Sequence, residues 1–102
     1  MANSLTVTAR VCLPGDDQKS LVVLGRIAWA LLELVEAGKV GCTPIDNPAP
    51  RWSSYVHRLR HDHGIAIETI HEPHGGPFAG QHARYVLRSR VDVIAVDEKE
   101  AA

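Results

Sequence analysis

The clearest chemical signal in this sequence is a group of arginine, serine and histidine side chains between positions 51 and 61. On a helical wheel of about 100° per residue they share one arc, opposite Trp52, Tyr55, Val56 and Leu59. The arc has no carboxylate before Asp62, whereas a solvated helix surface usually mixes both signs of charge. Donor side chains on one helix face suit phosphate oxygens and guanine edges. The arc comprises Arg51, Ser53, Ser54, His57, Arg58, Arg60 and His61.

The charge of the chain is distributed unevenly. Its 102 residues carry 11 Lys and Arg against 12 Asp and Glu, which gives a net charge of −1. Residues 1–50 contribute −1 (four basic, five acidic), residues 51–90 contribute +3 (six and three), and residues 91–102 contribute −3 (one and four). Such asymmetry points to an anionic partner. The helix with the arc therefore either reads DNA or is a surface helix that is basic by coincidence.

The histidines raise the alternative of a metal site, because all six lie within residues 51–90. His61 and His63, His71 and His74 could supply four imidazoles, and Cys42 a thiolate. On a helix, however, His61 and His63 point about 200° apart, so both can bind one ion only if the helix has already ended. Histidines in loops are more often solvated than ligands, so we expect no metal and no other cofactor.

An enzyme is not indicated by the remaining motifs. The glycines Gly75, Gly76 and Gly80 lie within a hairpin connection and do not form a phosphate loop after a strand. Cys12 and Cys42 lack the context of a Cys–His catalytic pair. We therefore expect no catalytic residues and no small-molecule substrate.

The expected cellular location rests on three features that the sequence lacks: a disulfide framework, a membrane span and a secretory signal. Two cysteines do not form a disulfide framework, and free thiols fit a reducing cytoplasm. No apolar run reaches the roughly 18–20 residues that span a bilayer. Residues 1–10 do not resemble a secretory signal. We expect a cytoplasmic protein that does not contact membranes.

The elements that would position the basic arc can be predicted from hydrophobic periodicity. Residues 5–13 alternate between apolar and polar side chains, which predicts a strand, and residues 14–17 predict a turn. Residues 18–37 follow helical spacing and end at Gly38. This helix is apolar over more than one stripe, so it is either buried centrally or packs against a second copy.

The segment before the arc is rich in proline, which leaves room for a single turn between residues 43 and 50, with Thr43 as its N-cap. A helix is then predicted over 50–63, followed by Gly64. Later elements are strands at 65–70, 83–88 and 91–96, with a long hairpin connection over 71–82. Residues 1–96 thus form one domain, and residues 97–102 an acidic, flexible tail.

Two short strings carry a family resemblance. The first runs from Val56 to Gly64 and reads hydrophobic–x–x–Leu–Arg before a glycine, with one extra residue, and leads into Ile65-Ala66-Ile67. The second is Arg84-Tyr85-Val86-Leu87. Together with the element order, residues 21–90 resemble the winged helix-turn-helix domains of small bacterial and phage-type DNA-binding proteins. The chain departs from them at 43–50, where the helix before the recognition helix is reduced to one turn.

The resemblance implies an α+β winged helix with a two- to three-stranded hairpin wing, to which this chain adds an N-terminal strand. It implies double-stranded DNA as the partner, the helix at 50–63 as the reading element and, as one role, a small transcriptional regulator of bacterial or phage origin. Arg84 and Arg88, on the second wing strand, either contact phosphate or lie on a solvated sheet face. The wing tip has no Lys or Arg, although minor-groove wings usually carry one.

A second class of function stays open alongside DNA binding. The winged helix could serve protein–protein contact or homodimerisation instead, because the apolar helix and the added strand both favour assembly. A dimer that does bind DNA would present two half-sites about one helical turn apart.

Overall fold

The structure is a computed structural model that describes residues 3–12, 17–47, 49, 51–75 and 80–100. It is an α+β arrangement of two α-helices and two antiparallel sheets. The first sheet has the strand order β2-β1-β5 and the second is the hairpin β3-β4. In chain order the elements are β1 (Asn3–Cys12), β2 (Gln18–Leu24), α1 (Gly25–Ala37), a 3₁₀ turn (Gly38–Val40), α2 (Trp52–His63), β3 (Ile67–His74), β4 (Gly80–Leu87) and β5 (Val91–Glu100).

Strand β1 forms the centre of the three-stranded sheet. Val7, Ala9 and Val11 are fully buried beneath α1, and the residues between them face the other side of the sheet. The strand predicted from alternation is therefore confirmed. Residues 13–16, which include Leu13 and most of the turn predicted at 14–17, lie outside the described residues.

The helix prediction was wrong for residues 18–24, which form β2. Leu21 and Val23 are buried, whereas Val22 and Leu24 are 53% and 63% exposed, which is the period of two of a strand. The strand pairs with β1 from Cys12 opposite Gln18 to Thr6 opposite Leu24. The helix begins only at Gly25, whose positive φ of 67° turns the chain out of the sheet. Its predicted end at Gly38 is confirmed.

The predicted flexible tail was also wrong over residues 97–100, because β5 continues to Glu100. Asp97 pairs with Thr6 and Glu100 with Asn3, after a bulge near Ile94 shifts the register. Backbone pairing along β1 thus holds a segment whose acidic composition suggested solvation. Residues 101 and 102 lie outside the described residues.

In the second half of the fold, α2 packs against α1, and β3 and β4 form a hairpin. The pairing of β3 with β4 runs from Ile67 opposite Leu87 to His74 opposite Gly80, so both strands extend into the predicted connection. Cys42 adds a one-residue bridge to β4, with its N–H and C=O 2.9 and 2.8 Å from the matching groups of Tyr85. The helix begins at Trp52, two residues after the predicted Pro50, which is outside the described residues.

Candidate nucleic-acid interface

The buried side of α2 is anchored by Trp52. Its ring lies 5.4 Å from the ring of Trp29 on α1 and 6.0 Å from that of Tyr85 on β4, centroid to centroid. Its indole Nε1 donates a hydrogen bond of 2.6 Å to the carbonyl of Asn47. Trp52 therefore joins both helices and the hairpin, and the helix face predicted as core (Trp52, Tyr55, Val56 and Leu59) is buried.

The connection before α2 contains the single turn that the sequence predicts. The buried Thr43 accepts a hydrogen bond at Oγ1 from the Asp46 N–H, 2.9 Å away, and its carbonyl accepts one from the Asn47 N–H at 2.8 Å. These contacts are those of an N-cap residue. The turn places Asn47 next to Trp52 and so fixes where α2 begins.

The carboxyl end of α2 is closed by Gly64, which adopts the left-handed conformation with φ 68°. Its N–H donates to the Arg60 carbonyl at 3.1 Å, and the N–H of Ile65 donates to the Leu59 carbonyl at 3.2 Å. The bond from Gly64 to Arg60 is that of the αL C-cap motif, and Ile65, which follows it, is buried. This motif sets the direction in which the chain enters β3.

Six side chains of the predicted arc face solvent on α2. We call them the α2 exposed face: Arg51, Ser53, Ser54, His57, Arg58 and His61. The Arg51 carbonyl accepts a hydrogen bond from the Tyr55 N–H, but its side chain makes no hydrogen bond or ion pair within the described ranges. His57 and His61 are one turn apart, with ring centroids 4.2 Å from each other. The face therefore offers donors from the first turn of the helix to its last.

Arg58 is part of a surface ion pair. Its guanidinium contacts the Asp62 carboxylate one turn later, with 56% and 44% of the two side chains exposed. The hydrogen bond from Arg58 lowers the pKa of the Asp62 carboxyl. Exposed pairs of this kind contribute little to stability, about 0–1 kcal/mol, so a phosphate can replace the carboxylate at small cost.

Arg60, the seventh residue of the arc, points to the hairpin. Its Nε donates to the Ile67 carbonyl at 3.0 Å, and its terminal nitrogen donates to the same carbonyl and to Thr69 Oγ1, the latter at 2.7 Å. The side chain is partly buried between α2 and β3. This geometry gives no support to the prediction that Arg60 contacts DNA; the residue ties the helix to the hairpin.

Arg84 is engaged in a cluster around Glu72, on the facing strand. Its guanidinium donates to both carboxylate oxygens at 2.7–3.0 Å and to the Val40 carbonyl at 2.9 Å. His82 Nε2 lies 2.8 Å from the same carboxylate. Hydrogen bonds from Arg84 and then His82 lower the pKa of Glu72 to about 2. Arg84 thus connects the hairpin to the end of α1.

Arg88, just past β4, donates a 2.7 Å hydrogen bond to Glu68 across the hairpin, with about half of each side chain exposed. The two arginines of the hairpin are therefore both matched by glutamates of β3. In the described part of the hairpin, residues 67–75 and 80–88, the formal charge sums to zero, two Arg against two Glu. Residues 76–79 lie outside the described residues.

The described residues provide no arrangement of ligands that supports the alternative of a metal site. In the described ranges, no three of the His, Cys, Asp and Glu side chains gather as ligands for an ion. Cys42 is fully buried, and burial, followed by the charge of Glu33, raises the pKa of its thiol to about 11. The thiol belongs to the hydrophobic core.

Comparison with known families decides the classification. A family described as winged helix domain matches residues 20–97, which is more than half of the chain. The chain belongs to this winged helix family. No curated protein and no solved structure matches the sequence. Winged helix domains commonly bind DNA and are typically not enzymes. No helix in the described ranges is long and apolar enough to cross a bilayer.

Sequence reasoning missed the partners of the paired arginines. In the register Glu72 lies opposite His82 and Glu68 opposite Val86, so each glutamate is diagonal to its arginine, Arg84 or Arg88. Opposite charges on facing strands are a readable signal once the hairpin register is known. The hydrogen bonds from Arg60 to the Ile67 carbonyl could not be predicted, because every residue has a backbone carbonyl and the residue type does not show which one accepts.

Proposed function

We propose that this winged helix protein binds duplex DNA through the α2 exposed face. The observation that carries the proposal is that this face presents Arg51, two serines and two histidines before the helix reaches its first acidic residue, Asp62. No side chain caps the amino end of α2. Free N–H groups there attract phosphate, and the helix dipole adds to this attraction.

Each residue of the face has a role that suits its length and chemistry. Arg51 and Arg58 have the longest side chains of the face and can make bidentate hydrogen bonds to guanine edges or phosphates. Ser53 and Ser54 donate to phosphates close to the helix. His57 and His61 extend the same donor surface towards the end of the helix.

The other three arginines that the sequence predicts as DNA contacts are bound to groups within the protein. Arg60 and Arg84 hold α2 and the hairpin in place, and Arg88 lies in a surface pair with Glu68. Because the described part of the hairpin is neutral, we assign affinity to α2 and a supporting role to the hairpin. A small transcriptional regulator in the cytoplasm of a bacterium or its phage is the role that fits such a domain.

The proposal is tested by fluorescence anisotropy of a labelled duplex titrated with the full chain. Affinity should fall with salt, at a log–log slope of about −0.9 for each phosphate contact. Removing one phosphate contact with Arg51→Ala should weaken binding to all sequences and reduce the slope by about 1. Failure of the folded wild-type protein to bind at about 50 mM salt would refute the proposal.

A matched control is available on α1. Arg26 is exposed and has no partner in the described ranges, so Arg26→Ala removes the same charge away from the α2 exposed face. It should change affinity by less than the Arg51→Ala variant. Equal losses in both variants, or unchanged binding after Arg51→Ala combined with Arg58→Ala, would move the site away from α2.

Protein contact without DNA is the second candidate, favoured by the exposed apolar side chains on the three-stranded sheet. A winged helix that assembles but shows no salt-dependent affinity for duplex DNA would belong to this class. The anisotropy titration separates the two, because only the first gives a signal that falls with salt.

A further inference from the structure

Strand β2 has an edge without a partner and an unusual surface. It is the outermost strand of its sheet, beyond β1, and no other described strand lies beside it. Val22 and Leu24 are 53% and 63% exposed on the face away from α1. They lie beside Thr8 and Thr6 of β1. The seven residues of the strand carry one charge, on Lys19.

Proteins normally protect such edges with charges, prolines or bulges. The other edge of the same sheet follows this rule: β5 contains a bulge and several acidic residues, among them Asp92 and Asp97. The edge of β2 has neither a bulge nor a proline, and its one charge, on Lys19, lies near the start of the strand, away from Val22 and Leu24. The β2 edge is therefore the less protected edge of this sheet.

We propose that a second copy of this chain covers the edge of β2, so that two three-stranded sheets join into one six-stranded sheet. Identical strands that meet edge to edge around a two-fold axis run antiparallel. An axis at Val22 places the two Val22 side chains opposite each other and Leu21 opposite Val23 of the second copy. The joined outer faces would then share an apolar strip formed by Val22 and Leu24.

This dimer goes beyond the proposed DNA binding and does not depend on it. No like charges meet across the β2 edges in this register, because Lys19 falls beyond the paired residues. A β5 edge paired in the same way would bring acidic residues such as Asp92 and Glu100 together. Charge therefore favours β2 as the shared edge.

The mass of the full chain in solution provides the first test. Sedimentation velocity should give twice the 11.1 kDa of one chain for the wild type. Val22→Lys should shift the protein to monomers, because it places two ammonium groups opposite each other. The matched control is Val96→Lys on β5, where the valine is 51% exposed and the dimer should persist. A monomeric wild type, or a dimer lost only with Val96→Lys, would overturn the proposal.

A cross-linking variant keeps the test decisive if Val22→Lys folds poorly. Directly opposite Cα atoms in an antiparallel pair are about 4.5–5.5 Å apart, which a disulfide can span. In a Cys12→Ser background, Val22→Cys should form a covalent dimer under mild oxidation, each thiol losing one electron and one proton to the added oxidised glutathione. Val96→Cys should stay monomeric on a non-reducing gel. Equal cross-linking of both variants, or none with Val22→Cys, would reject the β2 edge.

Discussion

The guanidinium of Arg60 makes three hydrogen bonds to β3, two to the Ile67 carbonyl and one to the Thr69 hydroxyl. Hydrogen bonds from a charged donor contribute about 1.5–3 kcal/mol, and Arg60→Ala also leaves the partly buried carbonyl without its partner. We expect Arg60→Ala to lower the free energy of unfolding by about 2 kcal/mol. Urea denaturation measures this change. Arg58→Ala, which breaks only an exposed pair, should cost less than about 1 kcal/mol, and equal losses would contradict the assigned role of Arg60.

Glu72 should make stability depend on pH. Its pKa is about 2 in the folded protein against a usual 4.5, because Arg84 and His82 donate to the carboxylate. A lowered folded pKa stabilises the protein above the unfolded pKa, and this contribution is lost as the pH falls through the folded value. Wild type should therefore exceed Glu72→Gln in stability at neutral pH, and the difference should vanish between about pH 4.5 and about pH 2.

Urea midpoints of the two proteins, compared at steps across this pH range, provide the measurement. Glu68→Gln serves as the control, because it removes a carboxylate from a more exposed pair with Arg88 and should give a smaller pH-dependent difference. A gap between wild type and Glu72→Gln that stays constant down to about pH 2 would show that the cluster does not form.

At the scale of elements, the segment between α1 and α2 depends on a close approach of Gly41 to β4. A Cβ atom there would lie 2.6 Å from the Tyr85 carbonyl oxygen and 2.8 Å from Val86 Cγ2, and φ is +78°. Gly41→Ala should therefore destabilise the fold by more than about 2 kcal/mol, since strain and overlap add. Gly38→Ala is the matched control, because Gly38 also has a positive φ, of 56°, but open space around it. Thermal unfolding of both variants should show a smaller loss for Gly38→Ala, because only the cost of its backbone conformation applies there.

The elements differ in how much of them the sequence reveals. Helix α2 is predictable because its apolar residues keep one period and Gly64 marks its end. Strand β2 is not, because the four consecutive apolar residues at 21–24 continue smoothly into the spacing of α1, and only pairing with β1 shows where the strand stops. Non-local pairing equally explains why residues 97–100 form a strand despite their acidic composition.

The site shows the same division between local and distant information. The helical wheel separates the α2 exposed face from the core, because both depend only on spacing along one helix. Arg60 lies about 80° from Trp52 on the wheel, nearest the core boundary. The wheel cannot show that its side chain donates hydrogen bonds to a carbonyl of β3. The same holds for Arg84 and Arg88, whose partners lie on another strand.

At the scale of the whole molecule, ion pairs neutralise part of the positive charge of residues 51–90. The three acids of this block each pair with one arginine: Asp62 with Arg58, Glu68 with Arg88 and Glu72 with Arg84. The other three arginines of the block are Arg51, Arg60 and Arg90, of which Arg90 lies 3.9 Å from the Asp92 carboxylate just outside it. Only Arg51 among these lies on the α2 exposed face, so electrostatic attraction to DNA should be modest, with a salt slope that corresponds to about two or three phosphates per chain.

The acidic carboxyl end does not act as a free competitor for this basic face, because residues 97–100 pair with residues 3–6 of β1. Truncation after Val96 should remove those hydrogen bonds and lower the free energy of unfolding by about 1–2 kcal/mol. Amide hydrogen exchange should show protection, in the full chain, of those amides of residues 97–100 that point to β1, and weaker protection after truncation of those amides of residues 3–6 that point to β5. Affinity for duplex DNA should change less than twofold. The contrary result would be that residues 97–99 exchange as fast as an unstructured peptide and that truncation tightens DNA binding. It would show that the tail is unpaired and competes with DNA for α2.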